Sequence, residues 1–360
     1  MRFDQAIAAA PWTGPSMVSM VTGLYPHRHG FLHWDAAIDP SIRTVFDAFA
    51  ESGYAVASFV FDESYLFRGL PQANVRGETA TLDAAIAWLR EHASQPFFLF
   101  VHSWATHMPY LVRHAEHEEW RQAKREMLDT LRANTADGYD RLREQYRASV
   151  ERQSEVLVAS LLEELDALGV REQTAIAFLA DHGESWGERF PEKEAVQGVY
   201  HLHGANLHDE ILQVPLVLAG PGIEPGVVAD QVRSVDLAPT LVELAGLRGG
   251  GFEDGSSLLA LLDGRERGDR VALAATSDRG TLSQVAVRRP PWKLVRHLAD
   301  GREEAFRLDL DPRELVDRAS EAPDDLRALL TLELEHADRS ELSAEEEAAI
   351  VERLSNLGYL

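Results

Sequence analysis

Apolar residues recur along this chain in two alternating rhythms. Within residues 41–53, Val45, Phe46, Phe49 and Ala50 fall at helical spacing until a glycine stops them. Residues 79–92 repeat the pattern with Leu82, Ala85, Ile86 and Leu89 on one face. Between and after these helices the period changes. Residues 54–61 are a β-branched and aromatic run, and residues 96–101 are apolar at every position, as expected of a strand in a sheet covered on both faces. Residues 174–180 and 214–218 read as two further apolar strands. Residues 114–169 form a long, highly charged helical region, with Tyr139, Leu142, Tyr146 and Val150 spaced by three and four, and read as scaffold or lid. Residues 236–245 read as a capped helix with Asp236 at its start and Pro239 in its first turn.

Helices alternating with buried strands predict an α/β fold, a mostly parallel central sheet with helices on both faces. After about residue 264 the texture changes. Short strands at 284–287 and 292–295 flank the turn-forming Arg-Arg-Pro-Pro, a third covers 305–310, and helices rich in Leu, Glu and Ala follow. The expected organisation is an α/β domain over 1–264, then a smaller antiparallel sheet with a helical tail over 265–360.

One stretch organises the rest. In Pro11-Trp12-Thr13-Gly14-Pro15-Ser16 a hydroxyl stands where a helix opens, and the helix closes at Thr22-Gly23. The unpaired N–H groups of a first helical turn and the positive end of the helix dipole hold an anion such as phosphate or sulfate. A hydroxyl at that point attacks the bound ester if its pKa is lowered, as a metal ion would do.

Charge and composition narrow the partners. Lys and Arg number 35 against 59 Asp and Glu, a formal net charge of −24. Such a surface disfavours nucleic acid, so an anionic substrate needs a locally positive site. Cysteine is absent, which excludes disulfides, thiolate metal sites and catalytic thiols. No apolar run approaches the ~18 to 20 residues of a membrane span, and none follows the opening Met-Arg-Phe-Asp. The expectation as given is a cytoplasmic chain, and nothing in the sequence sets its oligomeric state.

In open parallel sheets, ligands bind beyond the carboxyl ends of the strands. One strand runs into Asp181-His182-Gly183-Glu184, another into His102 and then His107-Met108-Pro109-Tyr110, and His201-Leu202-His203-Gly204 precedes a third. Asp181 and His182 offer an oxygen and a nitrogen side by side, suited to Zn, Mn or Mg, or to Ca if more oxygens join; alone, the pair would read as a helix cap. His102, His107 and His203 are loop imidazoles able to hold a substrate oxygen or protonate a leaving group. His27 and His29 read as residues that shape the loop beside Thr13. Lys293 reads as a solvated strand lysine, and Asp4 as a cap or surface charge at the tail of a connecting helix.

Taken together, these segments resemble the sulfatase family of the alkaline phosphatase superfamily. The likeness runs through Thr13-Gly14-Pro15-Ser16, Thr22-Gly23, Tyr25-Pro26 and His29-Gly30, through His107-Met108-Pro109-Tyr110 and Ala180-Asp181-His182-Gly183-Glu184. It continues in His203-Gly204, Val214-Pro215-Leu216, Gly220-Pro221-Gly222, Asp236-Leu237-Ala238-Pro239-Thr240, Trp292-Lys293-Leu294 and the closing Leu354 with Leu357-Gly358-Tyr359-Leu360. The resemblance implies a metal-dependent hydrolase of small anionic sulfate or phosphate esters. Thr13 would attack and be transiently esterified, Asp181 and His182 would hold a divalent ion shared with Thr13, and His107 and His203 would contact the ester oxygens or the leaving group.

Two departures qualify it. Relatives that use formylglycine make it from Cys or Ser followed by Arg; here Thr13 and Met17 stand there, and a secondary alcohol cannot give that aldehyde. A direct threonine alkoxide is the better expectation. The family also carries an upstream strand ending in aspartates that complete the metal site, whereas only twelve residues precede Thr13. The chain is therefore expected to be N-terminally incomplete, to bind metal poorly and to leave its sheet with an uncovered internal edge. The alternatives are a non-catalytic binding protein on the same fold, or a transferase handing the group to an alcohol.

Overall fold

The computed structural model describes residues 1–33, 36–60, 72–74, 78–111, 117–133, 135–186, 202–247, 249–278 and 280–335. His201, the closing motif at 354–360 and the tail beyond 335 lie outside the described residues. In chain order the elements are β1 (Arg2–Ile7), α1 (Thr13–Thr22), α2 (Pro26–His29), α3 (Val45–Glu51), β2 (Ala55–Val60), β3 (Gln72–Asn74), α4 (Glu78–His92), β4 (Phe97–His102), α5 (His117–Ala133), α6 (Ala136–Gln153) and α7 (Ala159–Ala167). There follow β5 (Ile176–Leu179), α8 (Asp209–Leu212), β6 (Gln213–Ala219), β7 (Val227–Arg233), α9 (Leu237–Leu244), α10 (Leu259–Leu262), β8 (Ala272–Asp278), β9 (Thr281–Arg289), β10 (Trp292–His297), β11 (Glu303–Arg307) and α11 (Asp324–Glu335).

Contacts divide the chain into two compact units. One comprises residues 1–48, 175–185 and 202–360, and the other residues 49–174 and 186–201. In the second unit β3, β2 and β4 form a parallel sheet, whose apolar strands pack against α4 through Ala57, Phe59 and Ala85. The charged region after it is three helices with a π-helical turn at Ser154–Val158 between α6 and α7; Thr135 opens α6 by accepting the Gly138 N–H.

The first unit holds two sheets. The four-stranded one has the order β5-β6-β1-β7 and is mixed: β1 runs parallel to β7 and antiparallel to β6, and β6 is antiparallel to β5. The second, β11-β10-β9-β8, is antiparallel throughout, as the change of texture after residue 264 predicts. The α/β architecture with a smaller antiparallel sheet is thus the observed one, and the small sheet belongs to the same compact unit as α1.

Three local readings need correction. Asp4 is not on a helix. Residues 2–7 form a strand bonded on both sides, with Phe3, Ala6 and Ile7 buried and the register shifting after Phe3, so among the described residues this sheet has no gap at β1. Asp4 itself is a surface charge paired with Arg2 at 2.9 Å. Asp236 stands just before α9 as expected, but its side chain does not cap that helix; it ends a 3-10 turn at Ser234–Asp236 and its carboxylate accepts the Arg233 N–H at 3.0 Å. Lys293 is not solvated. It is fully buried on β10, with Nζ 2.7 Å from Asp209 Oδ1 and 2.8 Å from Glu314 Oε1, because burial of an ammonium is tolerated only against paired carboxylates.

Phe3, Ile7, Val214, Leu216, Leu218, Val232, Ala274, Val295 and Phe306 share one core cluster, so both sheets of this unit pack on a common interior. Each such side chain contributes roughly 1.5–3 kcal/mol when fully buried. That core carries β1 straight into the loop that ends at Thr13.

Candidate active site

All ten residues of α1 are buried, so this short helix is fixed by its surroundings rather than by propensity. Thr13 is its first residue and is 5% exposed. Trp12 before it is extended and its side chain makes no cap to the helix. At the other end Gly23 takes φ 63° and its N–H closes on Ser19 O at 2.9 Å. A Cβ there would stand 2.8 Å from that of Phe252, so glycine is required twice over.

Backbone ties set the approach to Thr13. Ala8 N–H donates to Leu212 O at 2.7 Å, Ala9 N–H to Ser234 Oγ at 3.0 Å, and Gly204 N–H to Pro11 O at 2.9 Å. From α1 itself, Ser16 Oγ donates to Asp181 O at 2.6 Å, pinning the end of β5 against the helix. Gly183 N–H then donates to Ile211 O at 2.7 Å, and a Cβ on Gly183 would lie 2.3 Å from Glu210 O. The glycine after His182 is what lets the chain pass there.

His182 is the centre of the arrangement. Its Nδ1 lies 2.8 Å from Gly183 O, and a carbonyl only accepts, so the proton is on Nδ1 and Nε2 carries the lone pair. Nε2 is 3.3 Å from Thr13 Oγ1 and 3.5 Å from Asp181 Oδ2. Burial holds the imidazole below its usual pKa despite Asp181 nearby, which keeps the ring neutral. The lone pair accepts the Thr13 proton or ligates a cation, one at a time.

Among the described residues no three His, Cys, Asp or Glu side chains gather for a metal ion. The hydroxyl of Thr13 would supply a third donor beside Asp181 and His182. Hydroxyl, carboxylate and imidazole converging within 3.5 Å of one nitrogen fit one side of a Zn, Mn, Mg or Ca coordination shell, with water or ester oxygens on the other.

His203 stands beside this group, its ring 4.4 Å from that of His182 between centroids. Its Nδ1–H donates to Glu184 Oε1 at 2.7 Å. Burial opposes the charge on His203, but the Glu184 carboxylate outweighs it and holds the imidazole above its ordinary pKa. The two histidines are therefore opposite in character, one a neutral acceptor and one a donor. Glu184→Gln is expected to lower the His203 titration midpoint, read from ring proton shifts by NMR in metal-free protein. The same raised value makes the stabilisation from this pair complete below pH 6.5 and lost as pH rises through the folded pKa.

The structure thus brings Thr13, Asp181, His182 and His203 together. His107 lies in the other compact unit, where its ring stacks on Trp104 with centroids 4.5 Å apart and its Nδ1 lies 2.9 Å from Met108 O. His102 ends β4, edge-on to Trp104. His29 shapes the loop: Phe31 N–H donates to its Nδ1 at 3.1 Å, so Nε2–H faces Ser19 Oγ at 3.0 Å, and burial pushes its pKa down to about 3. His27 is buried and stacked on Tyr25. Sequence reasoning missed Glu184 and Ser16 as members of the site. Glu184 stood inside a quoted motif, but its partner lies nineteen positions away in the chain, a spacing no local pattern carries.

Comparison with known proteins adds the family context. The family model described as Sulfatase matches residues 1–247. A choline-sulfatase of Rhizobium meliloti (strain 1021) is 32% identical over 188 residues, covering 51% of this chain and 34% of its own length. A low-salt glycan biosynthesis sulfotransferase of Haloferax volcanii is 29% identical over 262 residues, covering 71% of this chain and 58% of its own. The chain thus spans between a third and three fifths of these two relatives. The crystal structure of a phosphonate monoester hydrolase of Agrobacterium radiobacter superposes with a TM-score of 0.72 at 18% identity, over 96% of this chain and 91% of that one, a likeness of fold.

Proposed function

The chain belongs to the sulfatase family, and from that premise we propose that it hydrolyses sulfate or phosphate monoanionic esters through attack by Thr13. The observation that carries this reading is the Thr13 hydroxyl 3.3 Å from the unprotonated Nε2 of His182 at the opening of a buried helix. Asp181, His182 and Thr13 would hold a divalent ion, Ca, Zn, Mn or Mg. Such an ion supplies Lewis-acid polarisation of the ester and a lower hydroxyl pKa.

The residues of the chain do the rest. First-turn N–H groups of α1 hold the ester anion and stabilise charge as it builds. Thr13 Oγ1, its proton given up to solvent, forms a bond to sulfur or phosphorus while the bond to the alcohol oxygen breaks, and charged His203 would give that oxygen a proton and take one back from the water that follows. Water then cleaves the threonine ester and restores the hydroxyl.

The test is an aryl sulfate and an aryl phosphodiester assayed in parallel, with and without chelator. Chelation is expected to remove turnover and a divalent ion to restore it. Asp181→Asn should raise the ion concentration needed by at least about 100-fold, beyond the roughly 10- to 100-fold cost of removing a group that only supports a metal ligand. Turnover indifferent to chelator overturns the metal assignment, and no turnover of either ester under any ion overturns the hydrolase reading. The sulfotransferase relative favours one second reading, transfer to an alcohol. Adding an alcohol acceptor during turnover separates the two by the product formed.

A further inference from the structure

The loop that carries His203 is gripped by the antiparallel sheet. Thr276 on β8 and Gln284 on β9 are directly opposite partners in the ladder, so their side chains leave the sheet on the same face. Thr276 Oγ1–H donates to Gly204 O at 2.5 Å, and Gln284 Nε2–H donates to Ala205 O at 2.8 Å. One cross-strand pair therefore holds the two carbonyls that follow His203 in sequence. The amide between them and His203 is held as well, since Gly204 N–H donates to Pro11 O, two residues before Thr13. Gly204 takes φ +91°, a conformation that presents its N–H to one neighbour and its C=O to another.

We infer that Thr276 and Gln284 are positioning residues that aim His203 at the ester held by Thr13, so that the small sheet works on the reaction without touching the substrate. This rests on the role proposed above for His203. Neither side chain reaches a reacting group; Thr276 is 1% exposed and its hydroxyl is spent on the Gly204 carbonyl. Nothing in the local sequence of β8 or β9 marks them, because the bond partner of each is more than seventy residues away. The grip matters because a displacement of about 1 Å at a reacting group costs on the order of 100-fold in rate.

The test is a cycle built on Thr276→Val/Gln284→Leu, which removes both donors at nearly constant volume, with and without His203→Ala. In the parent background kcat for an aryl ester is expected to fall by about 10- to 100-fold with KM changed by less than about threefold. In the His203→Ala background the same pair should cause no further loss, because a residue acting through another has no effect once that other is gone. Thr276→Ser keeps the donor and should keep kcat. Hydrogen exchange of residues 202–205 should rise in the double variant and stay protected in Thr276→Ser. A loss of equal size with and without His203, or exchange unchanged in the double variant, overturns the inference. If the parent turns over neither ester, the proposed function falls on that result, and the exchange comparison still decides whether the grip exists.

Discussion

Thr13→Val should lower kcat on an aryl sulfate or phosphodiester by about 10⁴-fold or more, the scale on which removal of a nucleophile acts. Valine replaces the hydroxyl by a methyl and keeps the β-branched outline, so the buried start of α1 retains its shape. What disappears is the hydroxyl oxygen that lies 3.3 Å from His182 Nε2. Thr13→Ser retains an attacking hydroxyl and should stay within about tenfold of the parent, with the difference set by one more rotatable orientation. Quenching the parent during turnover of an aryl sulfate should trap an adduct about 80 Da heavier on the peptide holding Thr13, as a covalent sulfo ester requires, and a phosphodiester should leave a heavier adduct that keeps its second ester group. Parent-like turnover by Thr13→Val would end the case for Thr13 as the attacking group.

A second large effect is expected where nothing reacts. Lys293 is enclosed with Asp209 and Glu314, and Asp209 also takes Arg288 at 3.0 Å while its own N–H donates to Glu314 Oε2 at 2.8 Å. His208 approaches Glu314 at 3.4 Å. Lys293→Met leaves these carboxylates short of a cation in the interior, and should cost about 3–5 kcal/mol in a urea unfolding series. Glu314 is buried, which opposes its charge, but Lys293 and His208 hold its carboxyl far below the usual glutamate value of 4.5. A depressed carboxyl stabilises the fold fully above pH 4.5, and that contribution is lost progressively as pH falls below it. The parent should therefore lose stability between about pH 5 and 3 more steeply than Glu314→Gln, which has no such proton to bind. Equal slopes would show that the carboxyl of Glu314 titrates alike in the folded and unfolded chain, which overturns the depressed pKa.

The same cluster shows where a sequence stops speaking. On β10 the run Trp292-Lys293-Leu294 alternates like any strand, and a lysine in it reads as solvated because that is what lysines on strands do. Its two carboxylate partners come from α8 and from the loop after β11, and only the folded chain reveals that they converge. The start of the chain failed differently. Arg2 to Ile7 lacks a strand's alternation because the register shifts after Phe3, and its neighbours β6 and β7 lie more than two hundred residues on. Elements defined by their own spacing were legible, as α4, β4 and the antiparallel sheet show. In the candidate site the donors were legible, since Thr13, Asp181, His182 and His203 stand at element ends with unmistakable chemistry. Their second partners were not, because Ser16, Glu184, Thr276 and Gln284 act through contacts that cross the sequence.

The interleaving of the two compact units bears on how the chain is made. Residues 49–174 form most of one unit and leave the ribosome as a nearly continuous piece, able to begin folding alone. The other unit must wait, because β1 is bonded between strands that are translated far later and its core closes only with Phe306. At about 5–20 residues per second that delay is tens of seconds, during which the apolar residues of β1 lack their native cover and α1 has only part of its own. Synthesis speed and chaperone capacity should therefore govern the yield of this protein more than its final stability does.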